Sequence, residues 1–286
     1  AAMINRVVVP VRDDGNAERV LRHAISLANN VNAHIIVTHC RLRPEDMLPY
    51  GVPMSRDMKA QIMTQSASVL NMAETVMRKE VEAICASAGV KMSDKPIPDA
   101  VTAQFIEAEG RQVDVVRRHG RLADIVVVAK PEVDRNLGAN TLKAALFHTG
   151  RPVYMCDDTM PDESMGFDQI ALCWDGSIEA TRAVAQSLWL MKIAKKVNIL
   201  TVGNDHVQIP PEELQLYLSE HDIKSDIIMV EASGSIGSSL MKVSVSCGAE
   251  IIILGAYGNN QYFERVLGGV TQHFVDHASR PLVLVH

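Results

Sequence analysis

The 286-residue chain is poor in aromatics, at 4% of its residues, and its five cysteines (Cys40, Cys85, Cys156, Cys173, Cys247) are odd in number and without Cys-x-x-Cys spacing. That pattern supplies neither a disulfide frame nor a zinc site and fits reduced thiols in a cytoplasmic protein. No apolar run approaches the ~20 residues of a membrane helix. Residues Ala1 to Arg6 show no basic segment ahead of a long apolar one, so no secretory leader is expected. A net charge of −6 leaves no basic surface for general nucleic-acid binding. The chain also lacks Gly-x-x-x-x-Gly-Lys-Ser/Thr, Gly-x-Ser-x-Gly and His-Glu-x-x-His. No Gly-x-Gly-x-x-Gly with a later acidic residue follows a strand. Phosphate-loop NTPases, serine hydrolases, zinc proteases and dinucleotide oxidoreductases therefore have no positive case.

What is present is an ordinary globular composition, 47% hydrophobic and 22% charged, at a length that leans towards two domains. An internal repeat makes that specific. Asp14-Gly15-Asn16-Ala17-Glu18 is echoed by Asp175-Gly176-Ser177-Ile178-Glu179. Each follows a short apolar run (Val7 to Val11, Ile170 to Trp174) and precedes a helical pattern, Val20, Leu21, Ala24, Ile25, Ala28 in one and Ala183, Val184, Ser187, Leu188, Met191 in the other. Ala123 to Val128 matches Ala249 to Leu254, and Arg151-Pro152-Val153 matches Arg280-Pro281-Leu282. The second copy is shorter, and the extra stretch of the first, Met47 to Ala73, reads as added helix. Polar Pro161 to Gly166 reads as a linker, giving domains 1–160 and 166–286. Continuous apolar strands alternating with helices predict an α/β fold, with a doubly wound five-stranded parallel sheet in each half. Ligands in such sheets bind beyond the carboxyl ends of the strands, where strand order reverses.

The segment after the fourth strand of the second half is Gly255-Ala256-Tyr257-Gly258, nine residues, then Gly268-Gly269-Val270-Thr271. Its pattern places a helix at about Thr271 to Ala278. A glycine loop feeding a helix N-terminus is a phosphate site, with unobstructed N–H groups at Gly268 and Gly269 and a hydroxyl at Thr271 in the first helical turn. On spacing alone, a plain glycine-rich turn fits equally well.

Gly-x-x-Gly, nine residues, then Gly and a small residue resembles the ATP-binding pattern of the universal stress protein family. Asp175-Gly176-Ser177, the strand Ala249 to Gly255 and the ending Arg280 to Val285 are similar to that family too, and the resemblance covers both halves. It implies two such domains in tandem, adenine nucleotide alpha hydrolase-like in fold. Their last strands would pair antiparallel about an approximate two-fold axis. For ligand, it implies ATP or AMP, with or without Mg²⁺. Asp175, preceded by Cys173 and Trp174, would meet the nucleoside, Val202 the adenine, and Gly255, Gly258, Gly268, Gly269, Val270 and Thr271 the phosphates. The family usually has Ser or Thr where this chain has Gly269, which removes one hydroxyl contact. The second half carries −5 of net charge against −1 for residues 1–165, so backbone amides rather than lysines would hold the phosphates.

The first half departs from the pattern. Its loop reads Ala129-Lys130-Pro131-Glu132, proline offers no N–H, and Glu132 and Asp134 repel phosphate. It reads as a degenerate copy, retained for structure or for another ligand, with Lys130 an exposed loop lysine. His273 and His277 stand one helical turn apart without an evident third ligand and read as a solvated face. His34, His39 and Cys40 read as a partly buried strand end. Arg111, Arg117, Arg118, His119 and Arg121 read as a solvated basic run. Met54, Met58, Met63, Met72 and Met77 read as ordinary packing of a long helix against the sheet or the other half, with a partner groove or a hydrophobic ligand pocket as the alternative. The expected function is nucleotide binding that biases the state of the tandem unit, without catalytic residues. The competing expectation is a nucleotide-free scaffold for a protein partner or a hydrophobic small molecule.

Overall fold

Apolar runs become strands and amphipathic runs become helices in a computed structural model that describes residues 5–49, 51–161, 166–203, 209–258 and 267–286. Asp162 to Met165 of the expected linker, and residues 259–266 of the glycine-loop segment, lie outside the described residues. The first half runs β1 (Arg6–Val11), α1 (Ala17–Asn29), β2 (His34–Arg41), a short 3₁₀ turn, α2 (Arg56–Ser87), β3 (Lys91–Met92), β4 (Thr102–Glu109), α3 (Gln112–Gly120), β5 (Ile125–Val128), α4 (Ala139–His148) and β6 (Val153–Met155). The second runs β7 (Gln169–Cys173), α5 (Ile178–Ile193), β8 (Lys196–Val202), α6 (Pro211–Glu220), β9 (Ser225–Val230), α7 (Ile236–Ser246), β10 (Ile251–Gly255), α8 (Leu267–His277) and β11 (Leu282–Val285).

These strands form one 11-stranded sheet in the order β3-β4-β2-β1-β5-β6-β11-β10-β7-β8-β9. Each half is the expected doubly wound parallel sheet of five, to which the first half adds the two-residue β3 at its edge. The halves meet antiparallel at β6 and β11, through Leu282↔Met155, Val283↔Tyr154 and Leu284↔Val153. Tyr154 and Val283 occupy equivalent repeat positions, so this register is the one a two-fold axis between the copies produces.

Both sheet faces are covered, which is why the strands read as unbroken apolar runs. One core contains α1 residues Val20, Leu21 and Ala24, α2 residues Met77 and Val81, α5 residues Ala183 and Val184, and α6 residues Leu214 and Leu218. The other contains Val116 of α3, Leu142 and Leu146 of α4, Leu240 of α7, and Val270 and Phe274 of α8. Each core crosses the β6–β11 seam, one through Tyr154 and Val283 and the other through Met155 and Leu282.

The added segment of the first half is the 32-residue helix α2. Its packing corrects the expectation for the methionines. Met77 is buried, but Met58 and Met72 are 54% and 67% exposed. Before Met77, only Ser66 of this helix is buried. Lys130 also departs from the expectation of an exposed loop lysine. Its side chain is 13% exposed, with Nζ donating to Asp158 Oδ2 at 3.0 Å and to the Ala278 carbonyl at 3.3 Å. The reason is position: the loop after β5 faces the C-terminal end of α8, whose free carbonyls attract a cation.

Candidate functional site at the second switch point

In the second half, strand order reverses between β7 and β10, so their carboxyl ends flank the crevice where such sheets take ligands. After β7 the chain turns at Asp175-Gly176-Ser177. Asp175 Oδ1 accepts from the Ser177 N–H at 2.9 Å, Gly176 has φ +75°, and Ser177 caps α5 by accepting from the Ala180 N–H at 3.1 Å. The same turn follows β1, where Asp14 Oδ1 accepts from the Asn16 N–H at 3.0 Å and Gly15 has φ +84°. Aspartate is favoured there because its short carboxylate closes the turn on the backbone two residues on.

The loop after β10 lies directly against the first turn of α5. A Cβ on Gly255 would stand 2.6 Å from the Ala180 nitrogen and the Glu179 carbonyl carbon, so only glycine permits this approach. A Cβ on Gly258 would meet the Glu179 carboxylate at 3.0 Å. Between them Tyr257 holds φ +50°, a left-handed conformation that costs a bulky side chain of order 1–3 kcal/mol and tends to cluster at functional sites. Its N–H donates to Thr271 Oγ1 at 3.4 Å and its hydroxyl donates to Gln272 Oε1 at 2.9 Å, which ties the loop to α8. Burial, with Asp276 adding to it, raises the Tyr257 hydroxyl pKa.

Helix α8 is assigned from Leu267, four residues before the sequence suggested, and Val270, Phe274 and Val275 form its buried stripe. Gly268 and Gly269 therefore belong to its first turn instead of preceding it. A Cβ on Gly269 would meet nothing within 4 Å. Thr271 is correspondingly one turn further in, buried, and engaged by Tyr257, so it is not the first-turn hydroxyl that the sequence suggested. Trp174 is packed into the core, its indole N–H donating to the Ile209 carbonyl at 3.0 Å, and Cys173 is buried on the opposite face. Burial pushes the Cys173 thiol up to about 12, which leaves it unreactive at neutral pH. Val202 ends β8, half-buried, on the same edge of the sheet as Cys173 and Gly255.

Among the described residues, no group of three His, Cys, Asp or Glu side chains is placed to hold a metal. His273 and His277 stack edge to face at 4.6 Å. His39 is buried and its Nδ1 lies 2.8 Å from Glu107 Oε2, a pairing across β2 and β4 not legible in the sequence. Cys40 donates to the Gly110 carbonyl at 3.1 Å.

The fold and the two equivalent turns define a doubly wound α/β protein made of repeated halves, each with a crevice at its switch point. Among solved structures, the chain is similar to a universal stress protein from Archaeoglobus fulgidus DSM 4304, at 17% identity and a TM-score of 0.69, over 98% of this chain and 96% of that one. A functionally unknown protein from Pseudomonas aeruginosa PAO1 is similar at 13% identity and a TM-score of 0.53, over 99% and 92%. At these identities the likeness concerns the fold, which is that of the universal stress proteins along the whole chain. No protein-family profile and no curated protein matches the sequence. Among the described residues, no helix is long and apolar enough to cross a membrane.

Proposed function

We propose that the chain is a tandem universal stress protein, with domains 1–160 and 166–286, whose second domain binds an adenine nucleotide, ATP or AMP, in the cytoplasm. The observation that carries this reading is convergence. The Asp175 turn, the Gly255–Gly258 loop and the glycine-bearing first turn of α8 meet at one switch point, with Gly255 in a contact that no other residue allows. Asp175 takes the ribose and Val202 borders the adenine side, with Cys173 and Trp174 buried behind it, while Gly258, Gly268 and Gly269 line the phosphate path, with Val270 and Thr271 buried behind them. The amino end of α8 supplies free N–H groups and a favourable dipole for negative charge. Glu179 beside Gly258 places a carboxylate next to that path, which favours ATP carried as its Mg²⁺ complex. Thr271 and Trp174 support this site from the core instead of reaching solvent. The protein acts through the bound state: nucleotide ties β7, β10 and α8 together, and turnover is not its role.

Rapid denaturation of freshly purified protein, followed by mass spectrometry of the supernatant, should release adenine nucleotide, and ATP should give a saturable calorimetric titration. Gly268→Val should abolish that titration. Absence of both released nucleotide and binding heat at millimolar ATP rejects the reading. A second reading, a partner-binding scaffold, draws support from α2, where Met58, Val69, Met72 and Val76 are exposed and no charged residue lies between Lys59 and Glu74. It predicts normal partner capture by a protein that never binds nucleotide.

A further inference from the structure

Helix α2 runs for 32 residues where its counterpart in the second half, α6, runs for 10. The core takes up only its C-terminal part, through Met77, Val81, Ile84 and Cys85. The rest carries a second apolar stripe. Met58, Ile62, Gln65, Val69, Met72 and Val76 recur at alternating intervals of four and three residues, the spacing of a helix-to-helix seam. At about 100° per residue, this stripe lies roughly a third of a turn from Met77 and Val81 and so points away from the core. Met58, Val69, Met72 and Val76 are more than half exposed, Gln65 is exposed and Ile62 is half-buried. A surface helix covers one apolar stripe and turns a polar face to water, whereas a helix apolar on two sides calls for cover on both.

Symmetry and charge identify what covers it. The stripe is symmetric about position 67. A second copy of α2, laid antiparallel across a two-fold axis there, sets Met58 opposite Val76, Ile62 opposite Met72 and Gln65 opposite Val69. The two Gln65 side chains then flank the axis about 6 Å apart along it, within reach of an amide-to-amide hydrogen bond that fixes the register. Charge selects the same direction. Arg56, Asp57 and Lys59 give one end of the seam a net +1. Glu74, Arg78, Lys79, Glu80 and Glu82 give the other a net −1, and no charged residue lies between Lys59 and Glu74. Antiparallel packing brings unlike ends together and opposes the two helix dipoles, while parallel packing sets like beside like.

We propose that the chain forms a weak homodimer through this stripe, α2 against α2, antiparallel about a two-fold axis at position 67. The seam is about 27 Å of helix, and one helix pair of that length buries less than the ~1,200 Å² of a standard stable interface. Its dissociation constant is accordingly on the order of 10–100 μM, and at about 1 μM the chain is single. The two halves are already paired within the chain at β6 and β11, so this contact joins two tandem units. It belongs to the first half alone and stands whether or not the second half binds nucleotide.

Sedimentation equilibrium of the intact chain over roughly 1–500 μM tests it. The wild type should pass from monomer to dimer across that range. Met72→Glu and Val69→Glu should each raise the dissociation constant about a hundredfold, because the two-fold places an unpaired charge in the seam twice. Both positions are exposed in the single chain, so the urea midpoints of these variants at about 1 μM should match the wild type. Met229→Glu, at an exposed position on β9 at the far edge of the sheet, should leave the dimer intact. Oxidation reads the direction: Ile62→Cys combined with Met72→Cys should give a disulfide-linked dimer, and Met72→Cys alone should not. A chain that stays monomeric at the highest concentration, a dimer that survives both glutamate variants, or one lost in Met229→Glu overturns pairing through α2. Crosslinking by Met72→Cys alone overturns the antiparallel arrangement.

Discussion

At the scale of single residues, two glycines of one motif have opposite reasons for being glycine. Gly255 is required by the backbone of α5, 2.6 Å from where its Cβ would be, whereas a side chain at Gly269 would enter open space. Gly255→Ala should therefore lower stability by about 1–3 kcal/mol, as overpacking does, and weaken ATP binding with it. Gly269→Ser should fold normally and tighten ATP by about tenfold, by adding a hydroxyl to the phosphate path. Urea unfolding and calorimetry on the two variants check both, and unchanged ATP affinity in Gly269→Ser would remove the phosphates from this turn. The motif was legible in the sequence, but the different roles of its glycines were not, because the sequence does not record that α5 presses on β10. Histidine charge is a second residue-scale matter. Burial, then Arg6, lowers the His34 pKa below its ordinary 6.5; burial, then Arg118, does so for His119, and burial, then His277, for His273. Such a group takes up a proton more readily when unfolded, so its stabilisation is complete above the unfolded value and is lost as pH falls through it. The urea midpoint should therefore drop between about pH 7.5 and about pH 5.5. It should drop less in His34→Gln, and an identical drop would clear His34 of any part in it.

At the scale of elements, the sequence showed strands better than helix limits. A strand buried on both faces declares itself as an unbroken apolar run, and β1, β2, β5, β7, β8 and β10 fall where those runs lie. Helix starts are less legible: α8 is assigned from Leu267 and not from near Thr271. Helix α2 makes the same point about methionine. The side chain alone does not say whether it faces core or solvent; the reach of the sheet does, and the sheet covers only the C-terminal part of this helix. Met77 is 3% exposed and Met72 67%, five positions apart on one element. Met77→Ala should cost about 2–4 kcal/mol through transfer and cavity terms. Met72→Ala should change stability by less than about 0.5 kcal/mol. Equal costs for the two, read from urea midpoints, would mean that the exposed half of α2 is covered in solution.

At the scale of the whole molecule, the repeat is more than two copies side by side, because each copy reaches the working end of the other. Lys130, in the altered loop of the first half, holds the C-terminal carbonyl end of α8, whose first turn carries Gly268 and Gly269. Phe147, on α4 of the first half, stands 5.6 Å from the ring of Tyr257 inside the glycine loop and 4.8 Å from His286. Neither contact was legible in the sequence, since both join residues more than 100 positions apart across a seam that only the β6–β11 pairing creates. The Phe147 contact bears on the nucleotide. Tyr257 holds a backbone angle that it would not choose freely, and an aromatic pair of this kind contributes about 0.5–1.5 kcal/mol towards keeping the ring, and with it the loop, in place. Phe147→Ala removes that support without touching any residue on the phosphate path. ATP binding to the second half should weaken by about three- to tenfold, the same energy expressed as affinity. Val133→Ala, on a 77% exposed residue of the first half, should leave it unchanged. Calorimetry with ATP on both variants decides the matter: equal affinities would mean that the glycine loop holds its shape unaided, and that the seam joins the halves without informing either of what the other has bound.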